Sequence, residues 1–147
     1  MSDDPFNLQR FVEAQETHYA MALRELEQGQ KASHWMWFIF PQLAALGRSN
    51  RAWFYGLSGL AEAEAYLAHP LLGSRLVACV RELLRHAPTA PRVLLGEVDA
   101  LKLRSCLTLF RAANPAEPVW EEALRAFYSG QADALTLKLL APHALKR

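Results

Sequence analysis

Residues 31–42, the aromatic run KASHWMWFIFPQ, contain the side chains best suited to hold a ligand. Two tryptophans, two phenylalanines, a histidine and a methionine fall within residues 34–41, and the whole chain has only four Trp and seven Phe. Lys31 begins the run, and Arg48 follows it. Aromatic faces stack on flat rings, and cations neutralise phosphate or carboxylate groups. The pattern therefore predicts a pocket for a flat anionic or nucleotide-like small molecule.

The candidate residues of this pocket lie in the aromatic run and shortly after it. His34 is the candidate general acid–base group, because an imidazole titrates near neutral pH. In the alternative interpretation, the aromatic side chains fill the core and His34 bonds a backbone carbonyl. The candidate ligand-binding residues here are Lys31, Ser33, Trp35, Trp37, Arg48, Ser49 and Tyr55.

A second set of polar residues, Lys102, Ser105 and Thr108, follows a three-residue spacing. This spacing places them on one side of a predicted helix, where they would present a cation and two hydroxyl groups to a ligand. The alternative is an ordinary boundary face on which the aliphatic part of Lys102 is buried. We include all three among the candidate ligand-binding residues.

Several common sites have no counterpart in the sequence. There is no glycine-rich phosphate loop and no Gly-x-Ser-x-Gly motif, and no two histidines or cysteines have the spacing of a metal site. We therefore predict no metal and no cofactor. Cys79 and Cys106 lie in apolar helical patterns and are predicted to be buried free thiols. The sequence leaves open whether the chain is an enzyme.

The charge balance and the apolar segments limit the partners that we expect. A net charge of +1 argues against a general nucleic-acid-binding protein, which needs a basic face to displace counterions from phosphates. The longest apolar run, residues 35–41, is far shorter than a membrane span, and the acidic N-terminus does not resemble a signal peptide. We predict a cytoplasmic protein with no membrane partner.

The hydrophobic periodicity predicts a mainly α fold, with about seven helices in a single compact domain over residues 1–147. Asp4 and Pro5 are predicted to begin a long helix that ends near Gly29. Pro41 is predicted to interrupt the helix in the aromatic run. Residues 52–57 form either a short helix or a short strand or hairpin. The other predicted helices cover about residues 60–68, 72–86, 100–113, 118–127 and 135–140, with Asp99 as the cap of the third.

These motifs resemble domain-of-unknown-function family 1810, whose hallmark is a nearly identical copy of residues 33–42. The resemblance extends over nearly all of the chain, through residues 4–6, 46–49, 69–70, 99–103 and 107–110. The family usually has Ser-Ser-Met-Thr at 105–108, and this chain has Ser-Cys-Leu-Thr, which keeps Ser105 and Thr108. The resemblance implies a mainly α single domain and no established activity. Members are sometimes labelled calpastatin, but such inhibitors are disordered and repetitive, whereas this chain has the composition of a compact domain.

Two functional hypotheses follow. In the first, the chain binds a small anionic ligand in the aromatic and cationic pocket, and enzymatic activity is one form of this hypothesis. In the second, the chain is a non-catalytic module for protein interaction or homodimerisation. Exposure of Trp53, Trp120 or Tyr128 would favour the second hypothesis, because large exposed aromatic residues mark interfaces.

Overall fold

The computed structural model describes residues 4–141 and confirms the mainly α fold. Nine α-helices and one 3-10 helix are present in that range, more than the number predicted because three of the helices have only four or five residues. The helices are α1 (Gln9–Gln28), α2 (Met36–Ile39), α3 (Asn50–Phe54), α4 (Leu60–Ala68), α5 (Leu72–Leu84), α6 (Pro91–Leu95), α7 (Glu97–Ala113), α8 (Val119–Tyr128) and α9 (Ala134–Leu140), with the 3-10 helix at Ala44–Leu46. Within residues 4–141, no helix combines the length and the apolar character needed to cross a bilayer.

Helix α1 ends as predicted but begins later than predicted. Gly29 has a φ of 73° in the left-handed region, and its N–H bonds the carbonyl groups of the last turn. Asn7 has a φ of 55°, which is incompatible with a helix that starts at Pro5. The Asp4 carboxylate instead accepts hydrogen bonds from the N–H groups of Leu8 and Gln9.

Helix α7 lies at the centre of the fold, because it packs against α4, α6, α8 and α9. Leu103, Leu107 and Phe110 of α7 are buried in one hydrophobic cluster that includes residues of α1, α4, α5 and α8. Cys79 and Cys106 are buried free thiols, as predicted. Burial raises the pKa of the Cys79 thiol to about 12, so that the thiol stays protonated at neutral pH.

The chain between the aromatic run and α4 is held by short local elements. Pro41 follows α2, as the sequence predicts, and the chain then enters the 3-10 helix. Residues 50–54 form helix α3, which Ser49 caps by accepting the N–H of Ala52. Of the two alternatives for residues 52–57, the helical one therefore applies to residues 52–54. The β-pairing described in this segment is a single parallel bridge between Leu43 and Leu57.

Candidate functional site

The first part of the aromatic run is fixed by one buried carboxylate, that of Glu25 near the end of α1. The Oε1 atom of Glu25 accepts the indole N–H of Trp35 at 2.8 Å, and also the backbone N–H groups of Ala32 and Ser33. The Ser33 hydroxyl donates to Oε2 at 2.6 Å. Trp35 is completely buried in the hydrophobic cluster. Both Ser33 and Trp35 therefore have structural partners here.

The electrostatics of Glu25 follow from these hydrogen bonds. Burial alone would raise the pKa of this carboxyl group, because an apolar environment disfavours the charged form. The hydrogen bonds from Ser33, Ala32 and Trp35 together outweigh burial and lower the pKa to about 2. Glu25 is ionised at neutral pH and accepts all four bonds. Glu25 is not among the residues predicted from the sequence, although its position next to Leu26 on the apolar face of α1 was an available signal.

Lys31 lies beside Trp35, and its ammonium group also has partners within the protein. Its Nζ atom is 2.9 Å from Oδ2 of Asp99, donates to the carbonyl oxygen of Ser33 at 2.6 Å and lies 5.0 Å from the centre of the Trp35 ring. The predicted role of Asp99 as a helix cap is wrong, because α7 begins two residues earlier, at Glu97. Asp99 lies in the first turn and forms an ion pair with Lys31.

The other candidate residues of α7 make local bonds. The Ser105 hydroxyl donates to the carbonyl oxygen of Leu101 at 3.3 Å. The Thr108 hydroxyl donates to the carbonyl oxygen of Arg104 at 2.8 Å and accepts the N–H of Asp133 at 2.9 Å. Thr108 is completely buried and connects α7 to the start of α9. The hydroxyl groups of Ser105 and Thr108 therefore both have partners within the protein.

A cavity of about 310 Å³ brings together three of the predicted residues, Arg48, Ser49 and Lys102. None of its lining residues within the described range 4–141 carries a carboxylate. Arg48 is exposed and has no hydrogen-bond or ion-pair partner among residues 4–141, and the only ionic contact of Lys102 in that range is with Oδ1 of Asp99 at 3.8 Å. We call this space the cationic cavity; it is lined by Gln42, Leu46, Gly47, Arg48, Ser49, Ala52, Val98 and Lys102.

A much smaller cavity of about 10 Å³ adjoins the cationic cavity and shares Gln42, Ala52 and Lys102 with it. We call it the narrow cavity; its other lining residues are Met36, Trp37, Tyr55 and Gly56. The ring of Trp37 is approached by Lys102 Nζ at 5.6 Å and by the Arg51 guanidinium carbon at 5.4 Å.

The two adjoining cavities contain five of the predicted site residues. Trp37, Arg48, Ser49, Tyr55 and Lys102 meet there. The other candidates do not line either cavity: Lys31, Ser33, Trp35, Ser105 and Thr108 make the contacts described above, and His34 is exposed elsewhere on the surface.

Seven lining residues of the two cavities were not predicted: Met36, Gln42, Leu46, Gly47, Ala52, Gly56 and Val98. Gln42 ends the aromatic run, and its position next to Pro41 was a usable signal, because a helix interruption exposes polar groups that need partners. Val98 had no such signal, and neither had Arg51, which lines neither cavity but approaches the Trp37 ring. Their place in the site depends on how α3 and α7 approach each other.

No metal site is present in the part of the chain that the structure describes. Across residues 4–141, no three His, Cys, Asp or Glu side chains are grouped so that they could hold a metal ion.

A groove of about 510 Å³ lies beside Trp53 and Phe54. Arg10 forms part of its lining, but its guanidinium group donates to four backbone carbonyl oxygens and forms a 2.8 Å ion pair with Glu62. This cation is therefore neutralised. Trp53 is 68% exposed and Phe54 is 53% exposed, whereas Trp120 is completely buried and Tyr128 is half-buried.

The helices define a small all-α protein. The chain belongs to the DUF1810 family, described as a protein of unknown function, whose pattern it matches over residues 5–140. It is similar to the conserved hypothetical protein Rv1873 from Mycobacterium tuberculosis, known from a crystal structure. The two chains are 45% identical with a TM-score of 0.92, and the match covers 94% of this chain and 99% of the other. None of the curated proteins matches this chain.

Proposed function

We propose that the protein binds a small anionic molecule in the cationic cavity. One observation carries the proposal: Arg48 and Lys102, which come from distant parts of the sequence, both line a cavity to which no carboxylate of residues 4–141 contributes. His34, the candidate acid–base residue, lies outside this cavity. The proposed function is therefore binding, and no reaction is assigned to it.

The charges support an anion as the ligand. Arg48 has no ion-pair partner among residues 4–141, and Asp99 lies nearer to Lys31, at 2.9 Å, than to Lys102, at 3.8 Å. An incoming anion would therefore meet two cations that are weakly compensated. Exposed ion pairs contribute up to about 1 kcal/mol each, so affinity in the range of roughly 0.1–10 mM is expected from the cations and a few hydrogen bonds.

The size and lining of the cavity support a compact ligand. A volume of about 310 Å³ is at the lower end of the range for small-molecule sites. Leu46, Ala52 and Val98 give it apolar surface for a short carbon chain. The Trp37 ring is already approached by Arg51 and Lys102, so a base that stacked on this ring would have to displace a cation. These contacts favour a compact anion over a nucleotide stacked on Trp37.

Titration of the ¹⁵N-labelled protein with anions, followed by NMR at low ionic strength, tests the proposal. Phosphate, sulfate, succinate and propionate are suitable probes, and low salt prevents screening of the cations. We expect saturable shifts confined to residues 42–52 and 98–102. The substitutions Arg48→Gln and Lys102→Gln should each weaken binding about fivefold to tenfold, which corresponds to ~1–1.4 kcal/mol.

Arg24→Gln is the matched control, because Arg24 is an exposed arginine on α1, away from the cavity. It should bind anions as the unmodified protein does. The proposal fails if no probe gives saturable shifts at these residues. It also fails if all three variants bind equally well.

A second candidate function, self-association, is favoured by the exposure of two adjacent aromatic residues. Trp53 and Phe54 border the groove of about 510 Å³ and leave more than half of their surfaces exposed. Sedimentation at increasing protein concentration tests this candidate. We expect a dimer that the double substitution Trp53→Ser and Phe54→Ser abolishes, whereas Val93→Ser, a change of another exposed apolar residue, leaves it intact. A protein that stays monomeric at all concentrations excludes this function.

A further inference from the structure

We infer that the anion bound in the cationic cavity carries a hydroxyl group and places it in the narrow cavity between Trp37, Gln42 and Tyr55. This inference rests on the proposed function and specifies the chemical class of the ligand. That class is a small hydroxylated anion, such as a short hydroxycarboxylate or the phosphate ester of a short polyol.

The first support is a set of side-chain polar groups without protein partners. The Gln42 amide, the Tyr55 hydroxyl and the Trp37 indole N–H form no hydrogen bond with any residue in the range 4–141. None of these groups is sealed from solvent: in the same range, the only buried side-chain N or O atom without a partner is the indole nitrogen of Trp120. The three groups are therefore available to water or to a ligand.

The second support is the size of the space that these residues line. The narrow cavity measures about 10 Å³, which is about the smallest volume that holds one water molecule. A hydroxyl group has nearly the size of a water molecule, whereas a carboxylate or phosphate group is much larger. The charged group must therefore stay in the larger cationic cavity, and only a hydroxyl-sized group can enter the narrow one.

The third support is the match of donors and acceptors. A hydroxyl group donates one hydrogen bond and accepts up to two. The Gln42 amide and the Tyr55 hydroxyl can each donate and accept, and the Trp37 indole can donate. A hydroxyl that replaces an ordered water keeps such bonds, whereas a methyl or methylene group at the same place loses them. The narrow cavity should therefore select against the deoxy analogue of a ligand.

Lys102 determines how the two parts of the ligand are connected. It lines both cavities, and so does Gln42. A ligand whose charged group contacts Lys102 in the larger cavity is therefore directly beside the entrance of the narrow one. The hydroxyl must then be on a carbon close to the charged group, as it is in a 2-hydroxycarboxylate or a glycerol phosphate.

The test measures dissociation constants for two matched pairs of probes by NMR titration. Malate is compared with succinate, and 2-hydroxypropyl phosphate is compared with propyl phosphate. We expect the hydroxylated member of at least one pair to bind about tenfold more tightly, which corresponds to ~1.4 kcal/mol. A preference in the first pair identifies carboxylate as the charged group, and a preference in the second identifies phosphate.

Substitutions then test which residues cause the preference for the hydroxylated probe. Tyr55→Phe keeps the ring, which packs against Phe38 at 5.3 Å between centroids, and removes only the hydroxyl. Tyr55→Phe and Gln42→Leu should each reduce the preference to about twofold or less. Lys102→Gln should instead weaken both members of a pair.

The outcomes distinguish this inference from the proposed function. Equal affinities within both pairs for the unmodified protein overturn the inference and leave anion binding intact. A tenfold preference that persists in both Tyr55→Phe and Gln42→Leu also overturns it. If none of the four probes binds, the proposed function itself is wrong.

Discussion

The indole N–H of Trp35 and the carboxylate of Glu25 are 2.8 Å apart, and this bond joins the last turn of α1 to the start of the aromatic run. The same carboxylate holds the backbone of residues 32 and 33. The first half of the aromatic run therefore has a structural role, because Glu25 holds it against α1. The second half of the run contributes Trp37 and Gln42 to the lining of the candidate site, whereas Phe38, Ile39 and Phe40 are buried in the core.

Replacing Glu25 by Gln should reduce the free energy of unfolding by about 2–3 kcal/mol at pH 7, because hydrogen bonds to a charged acceptor are lost in a buried position. Urea denaturation measures this change. Glu27→Gln, at an exposed position of α1, is the control and should change stability by less than about 0.5 kcal/mol. Similar losses in the two variants would contradict the anchoring role of Glu25.

The effect of Glu25 should depend on pH. Its pKa is about 2 in the folded protein and near 4.5 without the fold, so folding favours the ionised form. The stabilisation is complete above about pH 4.5 and is lost as the pH falls toward 2. The difference in stability between the unmodified protein and Glu25→Gln should therefore shrink from pH 5 to pH 2. A difference that stays constant over this range would show that the charge of Glu25 is not responsible.

Replacing Arg10 by Lys should reduce the free energy of unfolding by about 2–4 kcal/mol, although the positive charge is kept. Arg10 donates to four backbone carbonyl oxygens and to Glu62, and an ammonium group cannot reproduce this planar geometry. Chemical denaturation measures the loss. Arg24→Lys, at an exposed position, should be nearly neutral. Tolerance of Arg10→Lys would mean that charge alone matters at this position.

Gly73 allows α4 and α5 to approach closely, and Gly73→Ala should destabilise the protein by at least about 2 kcal/mol. A Cβ atom at Gly73 would lie 2.2 Å from the carbonyl oxygen of Leu67, a backbone atom that cannot move aside. Gly59→Ala is the control, because nothing lies within 4 Å of its added Cβ. Thermal denaturation compares the two variants. Equal melting temperatures would show that the two helices can separate at no cost.

The sequence predicts the parts of this protein whose structure is set by local patterns. The end of α1 at Gly29 and the interruption of the aromatic run near Pro41 both follow from backbone preferences of single residues. The start of α1 is different, because the left-handed conformation of Asn7 has no clear signal in the residues around it.

The candidate site could be predicted only in part. Lys31 and Arg48 flank the aromatic run, so the sequence suggested that they would line one pocket. The chain turns between them, and Lys31 faces Asp99 of α7 while Arg48 lines the cationic cavity. Spacing along the chain cannot show that Lys31 and Arg48 lie at different places, nor that Lys102 lines the same cavity as Arg48. Both depend on how α7 packs against earlier segments.

The hydrogen bonds of Arg10 also have a consequence for synthesis on the ribosome. Arg10 is made early, but its partners Phe54, Gly56 and Glu62 are translated much later. Until then, the newly made first helix lacks the contacts that fasten its beginning to the rest of the protein. Ribosome-bound chains that stop before residue 62 should therefore expose this end to proteases, and longer chains should protect it.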